Sequence, residues 1–527
     1  MTDAVLLPGF AGHTPPEWLR RRLSEGLAGV VLFSRNIVDP EQVARLTAAL
    51  RAENPHVLVG TDEETGEVTR LEVATGSSRP GGYALGVVDD PALTEELARD
   101  LGLDLAAVGI GIDFAPSADV NSNPRNPVIG LRAFGADPEL VARHTRAFIR
   151  GLQSAGVAAC AKHFPGHGDA SVDSHHGVPV VADGGIEQAL RPFRAAIAEG
   201  VRAVMTGHLL VPSYDPHLPA TLSPKVLTGL LREELGFDGV IVTDGIEMTS
   251  VSGPYGIGGA AARALAAGAD AICVGGESYD EATIDAMRDA ILTAVTEGLL
   301  PEERLADAAR RVRELALWTT SPGSTDGAGG TADTTRAGGG IGMVAARRAL
   351  RVTRRASPPV LPLTDAPHVV ELAPETHMAI DKATPWGVAG PLAELLPGTT
   401  ATRFAVGEAT GAAIEDLLAR ITGRGLVLVV RDAHRHPWQA EALRHLLSAR
   451  PDAVVVEMGL PHRADLGAVH IATYGAARVC GQAAAEVISR HAHHLRAERA
   501  AGERRRLRAG RLRATRRGGG GAGHLEG

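Results

Sequence analysis

Val157-Ala158-Ala159-Cys160-Ala161, followed by Lys162-His163-Phe164-Pro165-Gly166-His167-Gly168-Asp169 and then by Asp173-Ser174-His175-His176, is the stretch that decides how this chain folds. The first five residues are an unbroken apolar run, which reads as a buried strand. The residues after it are lysine, histidine, aspartate and glycine with few apolar side chains, so they form a loop and not core. A polar loop leaving the end of a buried strand is where a rigid scaffold displays chemistry.

Similar apolar runs recur on both sides: Val5–Leu7, Gly29–Phe33, Val57–Thr61, Gly111–Ala115, Ala203–Met205, Val240–Thr243 and Ala271–Val274. Segments of helical period separate them. Such alternation implies right-handed βαβ crossovers and a parallel sheet. Eight strands each followed by a helix predict an α/β fold, a closed (β/α)8 TIM-type barrel over residues 1–320. A doubly wound open sheet is the competing arrangement. Polar residues fall where the strands end: Arg35 and Asn36, Asp62 and Glu63, Asp119 and Asn121, Lys162 and His163, His208, Asp244, Glu277. In a barrel those ends converge on one face, where an active site lies, so the pattern points to an enzyme.

An amphipathic helix with Pro301 in its first turn closes this unit. Residues 321–343, rich in Gly, Ser and Thr, read as a flexible linker. Short strands at Val369–Leu372, Ala401–Ala405, Leu426–Val430 and Ala453–Glu457 then predict a smaller α/β sandwich domain over 344–490. Its histidines (His434, His436, His462, His470) match no metal-binding spacing and are expected at the surface or between domains. The arginine-rich end, 491–527, reads as a disordered basic tail.

The chain has 527 residues, 44% of them apolar, with a net charge of −9; this is enough for a large core and gives no support for nucleic-acid binding by the folded part. Three scattered cysteines fit reduced, buried thiols better than a disulfide framework. The N-terminus lacks the pattern of a secretory signal, and no apolar run approaches the roughly 20 residues that span a bilayer. The expected location is the cytoplasm. Oligomeric state is not legible.

The loop at 162–176 has three readings. His163, His167, Asp169, Asp173 and His175 are all potential metal ligands, but their spacing follows no zinc signature and Lys162 would place a positive charge beside the cation. The histidines could instead satisfy and cap a long loop. The third reading is acid–base catalysis. Asp173 and His175 stand two apart, and a carboxylate that accepts one ring N–H fixes the tautomer and raises the basicity of the other nitrogen. His175 would then shuttle the proton and Asp173 orient it. An opposing group is available in Asp244, at the tip of Val240–Thr243 and followed by Gly245, which has no side chain to shield it. Helix capping before Ile246-Glu247-Met248 explains Asp244 equally well at this point.

Taken together, the segment Lys162–Asp169 with Asp173-Ser174-His175 resembles the signature of glycoside hydrolase family 3, in its β-N-acetylhexosaminidase branch. Thr61-Asp62-Glu63-Glu64, Asn126-Pro127-Val128-Ile129-Gly130 through Arg132, and Gly236-Phe237-Asp238-Gly239 through Asp244 agree in order and spacing. Glu457-Met458-Gly459-Leu460-Pro461 and Thr473-Tyr474-Gly475-Ala476 resemble the C-terminal α/β sandwich that many members carry. The resemblance implies a retaining exo-β-N-acetylglucosaminidase with no metal or organic cofactor. Asp244 would be the nucleophile, His175 with Asp173 the acid/base, and Asp62, Arg132, Lys162 and His163 would hydrogen-bond sugar hydroxyls. The nucleophile and acid/base of a retaining glycosidase normally sit about 5–5.5 Å apart, a range that a mobile acid-bearing loop can reach by closing. Thr243-Asp244-Gly245, where glucosidases of the family carry Ser-Asp-Trp, points to the hexosaminidase branch. Peptidoglycan fragments are the substrate implied for a cytoplasmic member, with chitooligosaccharides next.

Two positions depart from the family pattern. Asp62-Glu63-Glu64-Thr65-Gly66 replaces one of two paired glycines by Thr65, which is costly if that position needs φ > 0. Gly207 stands before His208 where alanine is common. Two alternatives stay open. One is a phosphorylase: a histidine that has given up its proton is neutral and does not repel phosphate, whereas two unit charges about 4 Å apart would interact by roughly 4 kcal/mol at an effective dielectric of 20. The other is a carbohydrate-binding protein without turnover.

Overall fold

Alternate residues of the predicted strands belong to two different apolar clusters, and this partition builds the barrel. The structure, a computed structural model, describes residues 1–171, 177–181, 185–320, 340–355 and 360–489. Eight parallel strands follow in order: β1 (Leu6–Pro8), β2 (Gly29–Leu32), β3 (Leu58–Thr61), β4 (Ile112–Asp113), β5 (Ala158–Phe164), β6 (Ala203–Thr206), β7 (Val240–Thr243) and β8 (Ile272–Val274). Backbone ladders join β2 through β7 in sequence, and β1 pairs β8. A bridge between Val242 and Ala271 links β7 to the run entering β8.

Leu7, Val31, Leu58, Ile112, Ala158, Cys160, Ala203, Met205, Val240, Val242 and Cys273 fill the lumen, while Leu6, Val30, Leu32, Val59, Ala159, Ala161, Val204, Ile241 and Ile272 face the surrounding helices. The strand period of two dictates that division. At β3, Gly60 leaves room for a ring: a Cβ there would lie 3.0 Å from Phe114 Cζ. The closing helix Glu302–Thr320 sends Val312, Leu315 and Ala316 into the same lumen cluster, below the strands. The barrel therefore has a packed floor and an open upper end.

Three of the crossover helices, Pro40–Glu53, Pro91–Ala107 and Pro138–Ser154, begin with proline directly after aspartate. Proline pre-sets φ for the first turn, and Asp39 and Asp137 accept hydrogen bonds from the N–H groups left free there. The crossover helix after Pro224 is wound wider, over Lys225–Glu234, with the Leu235 N–H reaching the Leu230 carbonyl. Helix Gly82–Val88 is additional to the pattern of one helix per strand, so the β3–β4 connection carries two helices.

The β1–β2 seam has no backbone ladder among the described residues. One backbone bond, from the Ala28 N–H to the Asp3 carbonyl at 3.1 Å, and several side chains bridge it instead. Arg35 Nε and Asn36 Nδ2 both donate to the Phe10 carbonyl at 2.9 Å, and Arg35 Nη1 donates to the Gly276 carbonyl at 3.1 Å.

A second sheet contains β9 (Arg351–Arg354), β10 (His368–Leu372), β11 (Thr400–Phe404), β12 (Leu426–Val430), β13 (Val454–Glu457) and β14 (Val469–Ala472), in spatial order 9-14-13-12-10-11. In this sheet only the β9–β14 pair is antiparallel. Helices cover both faces, as two separate apolar clusters show. Strands β9 and β14 were not expected; β9 is exposed or half-buried along its length and carries no apolar run. Helix Ile341–Ala349 begins within the segment read as linker, whose residues 321–339 lie outside the described residues, as does the basic tail, 491–527. Among the described residues no helix is long and apolar enough to cross a membrane.

Candidate active site

The same parity that fills the lumen carries three charged residues to its upper rim. Leu58, Gly60 and Asp62 alternate along β3, Ala158, Cys160 and Lys162 along β5, and Val240, Val242 and Asp244 along β7. Lys162 is 2% exposed, and its ammonium donates to Asp62 Oδ1 at 2.6 Å and to Glu64 Oε1 at 2.7 Å. Burial works against the charge on Lys162, but these two carboxylates outweigh it and hold the ammonium protonated.

From Glu64 the polar chain continues. Arg132 grips Glu64 with two parallel bonds, Nε to Oε2 at 2.8 Å and Nη2 to Oε1 at 2.7 Å. Burial raises the Glu64 carboxyl, yet Arg132 and Lys162 together hold it well below the usual carboxylate range. Arg132 Nη2 also lies 3.2 Å from His163 Nε2, and His163 Nδ1 lies 2.7 Å from Asp119 Oδ2. These partners assign the tautomer: Nδ1–H donates to Asp119 and Nε2 accepts from Arg132. Asp119 is fully buried; it also accepts from the Ser117 hydroxyl at 3.0 Å and the His167 N–H at 2.6 Å. Burial pushes Asp119 up and the neighbouring His163 pulls it lower, so it stays ionised.

Asp62, Arg132, Lys162 and His163 are thus brought into one network. Both ring nitrogens of His163 are engaged by protein. Glu64 was not assigned a role from sequence, and Asp119 was marked only as a strand-end residue, without its part in holding His163. A buried lysine and a buried arginine need more negative charge than Asp62 alone, and that count was the available signal.

Asp244 is half-buried at the tip of β7, with Oδ1 accepting from the Gly245 N–H at 2.8 Å. His208 fixes the turn beneath it: Nε2 donates to the Gly245 carbonyl at 3.0 Å, and Nδ1 lies 2.8 Å from the Thr221 hydroxyl. Glu247 folds back, with Oε1 accepting from the N–H groups of Gly275 at 2.9 Å and Gly276 at 2.6 Å. A Cβ on Gly245 would sit 3.2 Å from Glu247 Oε2, so the small residue after Asp244 has a packing reason too. Gly207 likewise faces His163: a Cβ on it would lie 3.2 Å from the Cβ of that histidine.

Asp173 and His175 lie outside the described residues. The chain just before them is anchored, with Asn126 Nδ2 donating to the His167 carbonyl at 2.7 Å and Asn123 Nδ2 to the Ala170 carbonyl at 3.3 Å. His167 is buried, and burial with His163 pushes it down to about 4, so its ring is neutral.

Thr65 does take positive φ, +67°, followed by Gly66 at +69°. Left-handed backbone costs a β-branched residue about 1–2 kcal/mol. A hydrogen bond from its hydroxyl to the Pro80 carbonyl at 3.0 Å offsets part of this. Of the second unit's histidines, His434 reaches the first unit, with Nε2 at 3.3 Å from the Pro124 carbonyl, and stacks on His462.

The Glycosyl hydrolase family 3 N terminal domain model matches residues 13–315. The chain belongs to glycoside hydrolase family 3. A β-hexosaminidase of Pseudomonas aeruginosa is 42% identical to this family 3 hydrolase over 255 residues, 46% of this chain and 74% of the relative. One from Stenotrophomonas maltophilia is 37% identical over 310 residues, 56% and 91% of the two chains. Among solved structures, a glycoside hydrolase family 3 β-N-acetylglucosaminidase from Paenibacillus sp. str. FPU-7 is similar over 93% of this chain and 95% of its own, at 34% identity with a TM-score of 0.79.

Proposed function

We propose that this hydrolase is a retaining exo-β-N-acetylglucosaminidase that removes terminal β-linked N-acetylglucosamine from peptidoglycan fragments or chitooligosaccharides in the cytoplasm. The observation that carries the reading is the convergence of Asp62, Lys162 and Asp244, from three strands, on the open end of the barrel, with Lys162 tied to both Asp62 and Glu64. The activities named for its relatives support the sugar, and three free, buried cysteines support a reducing compartment.

Asp62, Lys162 and Arg132 hold the hydroxyls of the terminal sugar. Each hydroxyl both donates and accepts, so an alternation of cation and carboxylate satisfies it. His163, held by Asp119, keeps the Arg132 guanidinium in plane and accepts from it. Asp244 attacks the anomeric carbon as the C–O bond to the leaving group breaks. The proton for the departing oxygen comes from His175, steadied by Asp173. In the second half, His175 takes a proton from water, whose oxygen displaces Asp244 and restores the carboxylate. The fixed backbone of the Asp244 turn, pinned by His208, keeps the nucleophile from swinging away.

The test compares aryl N-acetylglucosaminide with aryl glucoside, each with and without phosphate. Turnover of the first, releasing free sugar in both buffers and lost in Asp244→Ala and His175→Ala, is expected. Preference for the glucoside, or a sugar 1-phosphate product, would overturn the assignment.

A further inference from the structure

We infer that Arg431, on the second unit, is a positioning residue for the sugar site: through Glu67 it latches the β3 loop that presents Asp62 and Glu64. The inference rests on the reading of Asp62, Lys162 and Arg132 as the sugar-holding groups.

The loop is a tight reversal. Glu64 bonds through its N–H to the Val68 carbonyl at 3.0 Å, and Thr65 and Gly66 between them both carry positive φ. Glu63 accepts the N–H groups of Arg70 at 2.7 Å and Leu71 at 2.9 Å. The inner side of the reversal is the Lys162–Glu64–Arg132 network. Its outer side is Glu67, whose carboxylate is held by the other unit. Oε2 pairs with Arg431, whose side chain is 7% exposed against 9% for Glu67, and Oε1 accepts the Ala476 N–H at 2.9 Å. The same unit holds the loop at two more points. Arg70, 3.9 Å from Asp62, donates to the Ala379 carbonyl at 3.1 Å, and Arg478 donates to the Gly76 carbonyl at 3.1 Å.

A reversal that asks threonine for left-handed backbone does not favour its own geometry. Asn-Gly is the pair that adopts consecutive positive φ readily, and Thr-Gly is not. Something outside the loop has to hold it: the barrel's own Arg79 carbonyl takes the Gly66 N–H at 3.0 Å and Pro80 the Thr65 hydroxyl, and the buried Glu67–Arg431 pair holds the apex from the other unit. Only Thr65 and Gly66 separate Glu67 from Glu64, so a displaced apex moves Glu64 and the two cations that share it.

The experiment is a cycle of Arg431→Met and Thr65→Asn in the full chain, read with aryl N-acetylglucosaminide and checked for folding by circular dichroism. Arg431→Met alone is expected to lower kcat/KM by about tenfold to a hundredfold, chiefly through KM. In the Thr65→Asn background, where the reversal favours its own shape, the same change is expected to cost less than about threefold. If Arg431→Met does not fold, Glu67→Gln with Arg431→Met, which leaves no lone buried charge, takes its place in the cycle. Lys162→Met is the control. Raised KM in Lys162→Met with unchanged KM in the latch variant overturns the latch alone, as does an equal loss in both backgrounds. Unchanged KM in Lys162→Met overturns the latch together with the sugar-site reading.

Discussion

Replacing Glu64 by glutamine keeps the shape of the side chain and removes the charge on which two buried cations depend. In the native site one oxygen accepts from both Lys162 and Arg132 and the other accepts Arg132 Nε, at 2.7–2.8 Å. Glutamine offers one acceptor oxygen, and its amide N–H groups point at donors. Breaking a buried ion pair on one side costs about 3–5 kcal/mol. Lys162 keeps Asp62 at 2.6 Å, and Arg132 keeps His163 and the Val128 carbonyl, so the low end applies, about 3 kcal/mol. Calorimetry at pH 7 should then show the barrel transition lowered by about 4–5 °C. The loss has a defined pH dependence. The folded-state pKa of Glu64 is depressed, so its stabilisation is present above its ordinary value of 4.5 and is lost as pH falls through the depressed one. Wild type and variant should therefore stay apart down to about pH 4 and converge only in stronger acid. A shift at pH 7 below about 2 °C, in the range of a surface ion pair, would refute the view that Glu64 is the hub of the network.

The remaining predictions concern chemistry and neighbouring charges. Asp244→Ala should lower kcat for aryl N-acetylglucosaminide by about a thousandfold or more, while binding of the product sugar, measured by calorimetry, persists. Asp119→Asn removes the acceptor that fixes the His163 tautomer; KM should rise more than kcat falls, since His163 acts on Arg132 and not on the reacting bond. Glu63 is buried, and burial pushes its carboxyl up to about 7. An acid with a raised folded pKa contributes most below its ordinary value and loses that contribution as pH climbs toward 7. Glu63→Gln should accordingly raise the melting temperature more at pH 8 than at pH 5, and an equal effect at both would contradict it.

Much of the barrel was legible because its strands are short, apolar and buried on both faces, which leaves few other places for them. Asp62, Lys162 and Asp244 stood out as polar residues ending apolar runs, and parity could have gone further by assigning all three to the lumen. The same cue was less selective elsewhere: Arg35 and Asn36 end β2 but are spent on the Phe10 carbonyl, closing a seam. Asp119 stood out as a strand-end residue, but its grip on His163 did not; Glu64 was hidden because its importance lies in charges contributed by distant strands, which only a count of buried cations against carboxylates could signal. Thr65 was readable as a cost, and the structure supplies the positive φ that makes it one. Strand β9 escaped because an exposed edge needs no apolar run. Asp173 and His175 belong to residues the structure does not describe, so their roles rest on the proposal above.

Cys160 and Cys273 line the lumen under the proposed sugar site, and Cys480 is sealed in the core of the second sheet. Burial raises all three thiols, Cys480 to about 12, so none is a thiolate at neutral pH and none is reached by solvent while its shelter stays closed. Nature has in effect placed two stopwatches inside the barrel and one in its neighbour. The rate at which a thiol reagent captures each, assigned by single cysteine-to-alanine variants, separates the opening of the barrel from the opening of the second sheet. Because sugar is expected to bind only the closed barrel, occupancy should slow the first two and leave the third running at its own pace.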